Sequence, residues 1–380
     1  MQKYPRYAEF FCGGGMVRAA LCHRWQCSLA NDIDPMKCQV YAQNWGADGL
    51  VQRDVGHLDA SHLHQDIDMY WASSPCQDFS LAGKGLGLAG RRSGVFSTWA
   101  DLITGAISEG YAPRIIAFEN VNGLISRNKG ADFSAVIRRL AKLGYRVGAL
   151  EIDAAVFLPQ SRSRLFVICL REDMLMEPLI STAPSGPFHS KKLVNFVKSA
   201  PRDIARNWVW WNHQMAASVP TPLIQMIDPA PDTAWLPKRE INRLLSMMSP
   251  PSRAKIEVAK QSGQPEIGML YKRGRPDAKG ATRQRAEVRF DGIAGCLRTP
   301  GGGSSRQTVL FVDGDTIRAR LLSSREAARL MGLNDSYQMP ERYNNAYKVA
   351  GDGVVVPVVK YLDEQIFQPA LNLPIRQAVA

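Results

Sequence analysis

The stretch Tyr7-Ala8-Glu9-Phe10-Phe11-Cys12-Gly13-Gly14-Gly15, followed by Cys27-Ser28-Leu29-Ala30-Asn31-Asp32-Ile33-Asp34, decides the fold. An apolar run breaks into three glycines, a helical pattern occupies Val17–Arg24, and a second apolar run ends in carboxylates. That is a strand, turn, helix and strand in sequence. Glycines at such a turn let a ligand approach the backbone, and a carboxylate closing the second strand accepts hydrogen bonds from ribose hydroxyls. A glycine turn by itself fits an ordinary turn about as well. The loop also lacks the full dinucleotide fingerprint, because Met16 and Val17 stand where further glycine is wanted.

Working outward, further strands are expected at Met69–Ser73, Ile115–Glu119, Arg146–Ile152 and Leu165–Leu170, and helices at Pro35–Trp45, Ser97–Glu109 and Asp132–Leu143. Alternation of this kind builds a mostly parallel, doubly wound α/β sheet, whose functional groups gather at the carboxyl ends of its strands. After Arg171 prolines cluster and the alternation is lost. We therefore expect residues 1–178 to form the first part of a large domain, 179–295 a smaller irregular insertion, and 296–380 the return to the first domain. In that return Ser324 is expected to cap the helix Arg325–Met331, and Val354–Phe367 to pack back on the first sheet. Trp208, Trp210 and Trp211 are expected in the core of the inserted domain.

The chain has 380 residues, with 47 Lys and Arg against 35 Asp and Glu, a net charge of +12. A surplus of this size suits a polyanionic partner, and also an ordinary basic surface. No apolar run approaches the roughly 20 residues that span a bilayer, and the start lacks a signal-peptide core. A soluble, cytoplasmic protein is expected. Seven cysteines without a CxxC pair favour reduced thiols over disulfides or a metal site. Between Arg253 and Arg289, ten basic residues face four acidic ones, a candidate phosphate-tracking surface or a merely solvated face.

Reactive residue types fall at strand ends. Ser73-Ser74-Pro75-Cys76-Gln77 closes one strand and puts a thiol on a loop, whereas Cys169 sits in an apolar run and reads as core filling. Glu119-Asn120-Val121 closes the next strand, and Gln160-Ser161-Arg162-Ser163-Arg164 opens the last. A thiol, a carboxyl group and two arginines thus share one edge. Singly, Glu119 also fits a helix cap, and Arg162 with Arg164 a surface pair.

These motifs, taken in order with Asn31-Asp32-Ile33-Asp34, Arg53-Asp54-Val55, Arg92-Ser93-Gly94, Gly301-Gly302-Gly303, Ser324-Arg325-Glu326 and Gly351-Asp352-Gly353-Val354, resemble the cytosine-C5 DNA methyltransferases. The resemblance covers nearly the whole chain outside Arg171–Glu287. It implies a Rossmann-like S-adenosylmethionine-dependent domain with an inserted target-recognition domain. It further implies a DNA (cytosine-5-)-methyltransferase of the bacterial or phage restriction-modification type, acting on a flipped-out cytosine and releasing S-adenosylhomocysteine. The ring carbon C5 is a poor nucleophile until a thiolate adds at C6. Cys76 is implied as that nucleophile, Glu119 as the proton partner at N3, and Arg162 and Arg164 as holders of the base carbonyl. No residue stands out as the base that removes the C5 proton.

For the donor, the resemblance implies Phe11 and Ile33 against the adenine, Asp32 on the ribose, and Asp54 with Val55 near the adenine amino group. Gly13, Gly14 and Gly15 lie toward the methionine end, and Pro75, Asp352, Gly353 and Val354 close the pocket. Double-stranded DNA is the implied partner, bound by a monomer, with a cognate restriction endonuclease in the same system; no metal and no membrane are expected. Gln77 to Gly94 suit a lid, with Gln77, Ser80, Lys84, Arg91 and Arg92 toward DNA. Gly302, Gly303, Arg273, Arg275, Arg283 and Arg285 complete the expected DNA contacts. Four positions depart from the pattern: Asp352 replaces an asparagine, Cys296 a threonine, Glu9 an aspartate, and Ser74 a bulkier residue or proline. A tRNA-directed relative and a catalytically inactive DNA-binding relative are the competing readings.

Overall fold

The computed structural model describes residues 4–63, 66–75, 94–215, 220–229, 231–276, 281–299 and 306–376. Packing divides the chain into two compact units, Met1–Asp153 with Ser163–Ala217 and Val356–Ala380, and Ala154–Arg162 with Ser218–Val355. The insertion expected at 179–295 thus differs in extent from the second unit. Residues up to 217 stay with the first unit because Trp208 and Trp211 are buried there, Trp208 edge-on to Phe133. Those tryptophans are core, as expected, but of the larger unit.

In the first unit, β1 (Arg6–Phe10), β2 (Gln26–Asp32), β3 (Leu50–Gln52), β4 (Met69–Ser73), β5 (Ile115–Val121), β6 (Tyr145–Asp153) and β7 (Ser163–Arg171) form one sheet. Its order is β3-β2-β1-β4-β5-β7-β6. β7 runs antiparallel to both neighbours and the other pairs are parallel. Strand order reverses between β1 and β4, the place where doubly wound sheets open a crevice at their carboxyl edge. The six strands read from sequence are all present; the three-residue β3 is too short for periodicity to reveal.

Helices α1 (Met16–Leu21), α2 (Pro35–Trp45), α3 (Gly94–Ser108) and α4 (Ala131–Ala141) connect these strands. α4 shows why such segments are helical: Phe133, Val136, Ile137 and Leu140 recur at helical spacing, and all are buried. α5 (Lys191–Ser199), α6 (Arg202–Asn207) and the short pair β8 (Ile180–Ser181) and β9 (Trp210–Trp211) follow. At the chain's end α12 (Val356–Leu362) packs on α1, and Phe367 sets its ring edge-on to Trp71 of β4. The expected return to the first sheet is therefore made.

The second unit holds a four-stranded antiparallel sheet ordered β11-β10-β12-β13, from β10 (Glu266–Pro276), β11 (Thr282–Arg289), β12 (Thr308–Asp313) and β13 (Thr316–Leu321). α7 (Leu223–Met226), α8 (Lys238–Ser246) and α9 (Pro250–Lys260) precede it. Ile241, Leu244 and Ile256 from the latter two meet Leu270, Val288 and Leu310 in its core. α10 (Ser324–Leu330) and α11 (Tyr343–Asp352) follow the sheet. The cap of α10 is Ser323, one residue before the expected Ser324. Its hydroxyl accepts from the Glu326 amide while Glu326 accepts from the Ser323 amide, a reciprocal pair that fixes the start.

Candidate active site

The glycine loop leaves β1 with Phe11 at φ +59°, Gly13 at +55° and Gly15 at +80°. A bulky residue rarely adopts the first of these, so strain is concentrated where the chain turns across the sheet's edge. Gly15 admits no side chain: a Cβ there would stand 2.4 Å from the Trp45 indole nitrogen. Among the described residues the space above Gly13 is open, with none of their atoms within 4 Å of a Cβ placed there. Asp32 locks the loop, its Oδ2 accepting from the Gly13 amide at 2.8 Å and its Oδ1 from the Asp34 amide at 2.9 Å. Each oxygen keeps a second lone pair for a ligand hydroxyl.

Asp34 caps α2 by accepting from the Met36 and Lys37 amides, and Asp54 caps the turn Val55–His57 by accepting from the Gly56 amide at 2.8 Å. Between Asp32 and Asp34 in the chain, Ile33 is 61% exposed, an apolar side chain turned to solvent at the carboxyl edge. Beneath the loop, Glu9 is buried, and that burial pushes its carboxyl well above the usual value against the opposing pull of Arg18. Burial likewise pushes the Cys12 thiol well up, which makes it a poor nucleophile.

At the end of β5, Glu119 is buried and its Oε1 lies 3.3 Å from Arg164 Nε. The antiparallel register sets this pair, because β7 lays Arg164 opposite Val121. Asn120 donates from Nδ2 to Ser74 Oγ at 3.1 Å, tying the end of β4 to the end of β5. Asn122 donates to Glu151 at 2.7 Å and to Ser163 Oγ at 3.1 Å, which anchors the turn that follows Glu119.

Within the second unit Arg162 is buried, and its guanidinium donates to the carbonyls of Leu297 (2.9 Å), Gly351 (2.9 Å) and Gly353 (2.7 Å), with Cys296 Sγ 3.5 Å away. These bonds make it the staple of the 296–299 and 351–353 segments. Asp352 accepts from the Thr299 hydroxyl, so its carboxylate too serves that junction. Val354 is buried in this unit. Arg273, Arg275 and Arg283 are exposed and Arg285 half-buried, all on the β10–β11 ribbon.

Cys76, Gln77, Ser80, Lys84, Arg91, Arg92, Gly302 and Gly303 lie outside the described residues; Gly14 and Pro75 lie within them, on the loops leaving β1 and β4. Sequence reasoning passed over the amides. Asn31, whose side chain donates to the Val51 and Arg53 carbonyls, Asn120, and Gln160, which donates to the Leu330 carbonyl at 2.6 Å, each hold a motif in place. Their signal was position, each beside a carboxylate or arginine singled out for chemistry.

Fold and site together define the class, a Rossmann-like methyltransferase domain. The C-5 cytosine-specific DNA methylase family matches residues 6–368, and the chain belongs to that family. Among curated relatives, Type II methyltransferase M.HhaI of Haemophilus parahaemolyticus is 26% identical over 94% of this chain and 92% of that enzyme. Type II methyltransferase M.BanI of Aneurinibacillus aneurinilyticus is 24% identical over 97% and 96%. Among solved structures, S. pombe Dnmt2 methyltransferase shares the fold with a TM-score of 0.59 at 17% identity, covering 97% of this chain and all of the other. The protein is an enzyme, a DNA cytosine-C5 methyltransferase. No described helix is long and apolar enough to cross a membrane.

Proposed function

We propose that the enzyme takes methyl groups from S-adenosylmethionine and acts on a cytosine extruded from duplex DNA. The observation that carries this reading is the Glu119–Arg164 pair at the end of β5, beside the Asn120–Ser74 tether two residues short of Cys76. Duplex cytosine hides C6 in the stack, so extrusion is required before a thiol reaches it.

The loop fits the donor. Open space above Gly13 accommodates its methionine end, Ile33 and Phe11 offer apolar surface to adenine, and the spare lone pairs of Asp32 suit ribose hydroxyls. Asp54 and Val55 lie toward the adenine amino group, with Gly14, Gly15, Pro75, Asp352, Gly353 and Val354 completing the binding set. Bound S-adenosylmethionine supplies an electrophilic methyl group. Cys76 forms the Sγ–C6 bond, Glu119 shares its proton with N3, and Arg164 donates to the base carbonyl while holding Glu119 in place. Once C5 carries the methyl group, loss of its proton restores the double bond and breaks Sγ–C6. Residues 179–295 supply target recognition, and 1–178 with 296–380 the chemistry.

Plasmid DNA from cells expressing the protein, sequenced by a method that reports 5-methylcytosine in context, tests the reading. A single methylated motif is expected, lost in Cys76→Ser. Methylation of tRNA in place of plasmid would favour the tRNA-directed reading, and full activity of Cys76→Ser would overturn the mechanism.

A further inference from the structure

The last helix of the first unit changes gauge. After α12 its backbone widens into one π-helical turn, Asp363–Phe367, in which the Gln368 amide donates to the Asp363 carbonyl. Pro369 gives the reason. It has no amide proton to donate, and in an ordinary α-helix its ring would press on the Gln365 carbonyl. Wide turns of this kind recur at functional sites. Positions five apart in sequence lie about 140° apart around an α-helix, but here they meet, Gln368 Nε2 donating to Asp363 Oδ1 at 3.1 Å.

The two ends of the turn reach different strands. Asp363 is buried, and its Oδ1 also accepts from Trp25 Nε1 at 2.7 Å, with Arg24 Nη1 at 3.7 Å from Oδ2. The Trp25 amide donates to the carbonyl of Leu21, the last residue of α1, and its ring stands edge-on to Tyr7 of β1. α1 is a strut of about 9 Å, and its first residue follows Gly15 directly. A displacement at Trp25 is therefore carried to the glycine loop.

At the other end Phe367 is fully buried, its ring edge-on to Trp71 with centres 6.2 Å apart. Trp71 in turn donates from Nε1 to the hydroxyl of Ser73, the last residue of β4, at 2.9 Å. Seating a helix does not require a buried carboxyl group. An apolar contact packs as well without the desolvation cost, but it has no preferred direction, whereas the bond from Trp25 sets both distance and angle.

We propose that this turn is a positioning element for methyl transfer: Asp363 sets the glycine loop through Trp25 and α1, and Phe367 sets the end of β4 through Trp71. The assignment rests on reading the glycine loop as the donor's seat. Both residues act through others and are positioning residues.

The test compares full-length variants by calorimetric titration with S-adenosylhomocysteine, by single-turnover methylation of unmethylated plasmid DNA at saturating donor, and by urea denaturation. Trp25→Phe keeps an aromatic ring without the indole N–H, and Asp363→Ala removes the acceptor. Each should weaken S-adenosylhomocysteine binding about tenfold while the rate at saturating donor stays within about threefold of wild type. Asp363→Asn still accepts from Trp25 through its amide oxygen and should bind within about threefold of wild type. Phe367→Leu should show the reverse split, with binding unchanged and a single-turnover rate about tenfold to hundredfold lower. A turn that merely seats the helix would lower the urea midpoint in all four and make neither split. Wild-type binding in Trp25→Phe overturns the Asp363 arm, and so does Asp363→Asn binding as weakly as Asp363→Ala. A wild-type rate in Phe367→Leu overturns the other arm. Should Asp363→Ala fail to fold, Trp25→Phe, the milder change, decides. Wild-type enzyme that binds no S-adenosylhomocysteine overturns the reading of the glycine loop instead, and that failure shows before any variant is compared.

Discussion

Asn120 Nδ2 stands 3.1 Å from Ser74 Oγ, with both residues buried, and this contact joins the carboxyl ends of two neighbouring strands. Asn120 also accepts from the Val121 amide through Oδ1 at 2.8 Å, so its amide is held on both sides. Ser74 is small enough to leave room for that bond. Cys76 follows two residues later, so we read the tether as setting where the thiol begins its reach toward the substrate.

Asn120→Ala should therefore lower kcat while leaving the donor's Kd near its wild-type value. A roughly tenfold to hundredfold loss is expected for a misplacement of about 1 Å. Single-turnover methylation and donor titration by calorimetry separate the two quantities. Equal loss in both would mean that the bond supports the fold as a whole.

Much of this was legible in the sequence because periodicity and turn chemistry are local. The β1 loop, the helix at Pro35–Trp45 and the apolar stripe of α4 follow from neighbours within a few positions. The role of Arg162 was not legible. Its partners are carbonyls at Leu297, Gly351 and Gly353, more than a hundred residues away, and a backbone carbonyl leaves no trace in residue identity. For the same reason Leu165–Leu170 reads as a strand while the antiparallel sense of β7, which sets Arg164 beside Glu119, is hidden. The extent of the second unit was likewise obscured, because Trp208 and Trp211 bury themselves against elements far upstream in sequence.

Acid should destabilise the first unit through two imidazoles. His189 and His213 are buried with ring centres 4.9 Å apart, and neither Nε2 has a hydrogen-bond partner among the described residues. Burial pulls His189 down to about 4, helped by His213, and burial lowers His213 as well. The unfolded chain takes up these protons near pH 6.5 and the folded chain does not, so stability falls as pH drops from about 6.5 toward 4. Urea denaturation at pH 7.5 and 5.0 should show this loss. His189→Gln, whose side-chain oxygen can still accept from the Ser185 amide, should lose less on acidification; an equal loss would place the acid sensitivity elsewhere.

The second unit contains a buried ion pair whose removal should be costly only when one partner goes. Arg320 and Glu326 are 1% and 0% exposed, and they meet through two bonds of 2.6 and 2.8 Å. Glu326 also accepts from the Ser323 and Asp228 amides. Glu326→Ala strands the arginine and should cost about 3–5 kcal/mol, whereas replacing both partners by apolar residues of similar volume should cost distinctly less. A double-mutant cycle by urea denaturation measures the difference. Additive losses would show that the two side chains act independently.

Glu9 gives the opposite pH signature. Its carboxyl is buried under the glycine loop, Oε2 lacks a hydrogen-bond partner among the described residues, and burial raises its pKa well above the ordinary value. In the unfolded chain it ionises near pH 4.5, while the folded chain keeps the proton to higher pH. Its contribution to stability is thus intact below about pH 4.5 and declines as pH rises toward the folded pKa, by at most about 1.4 kcal/mol per unit. Glu9→Gln keeps the shape and removes the titration. Its stability relative to wild type should increase from pH 5 to pH 8, and the comparison cancels the two histidines, which are common to both proteins. A difference independent of pH would show that Glu9 is already ionised in the folded protein, held by Arg18, and that the loop is supported by a charge pair in place of a neutral acid.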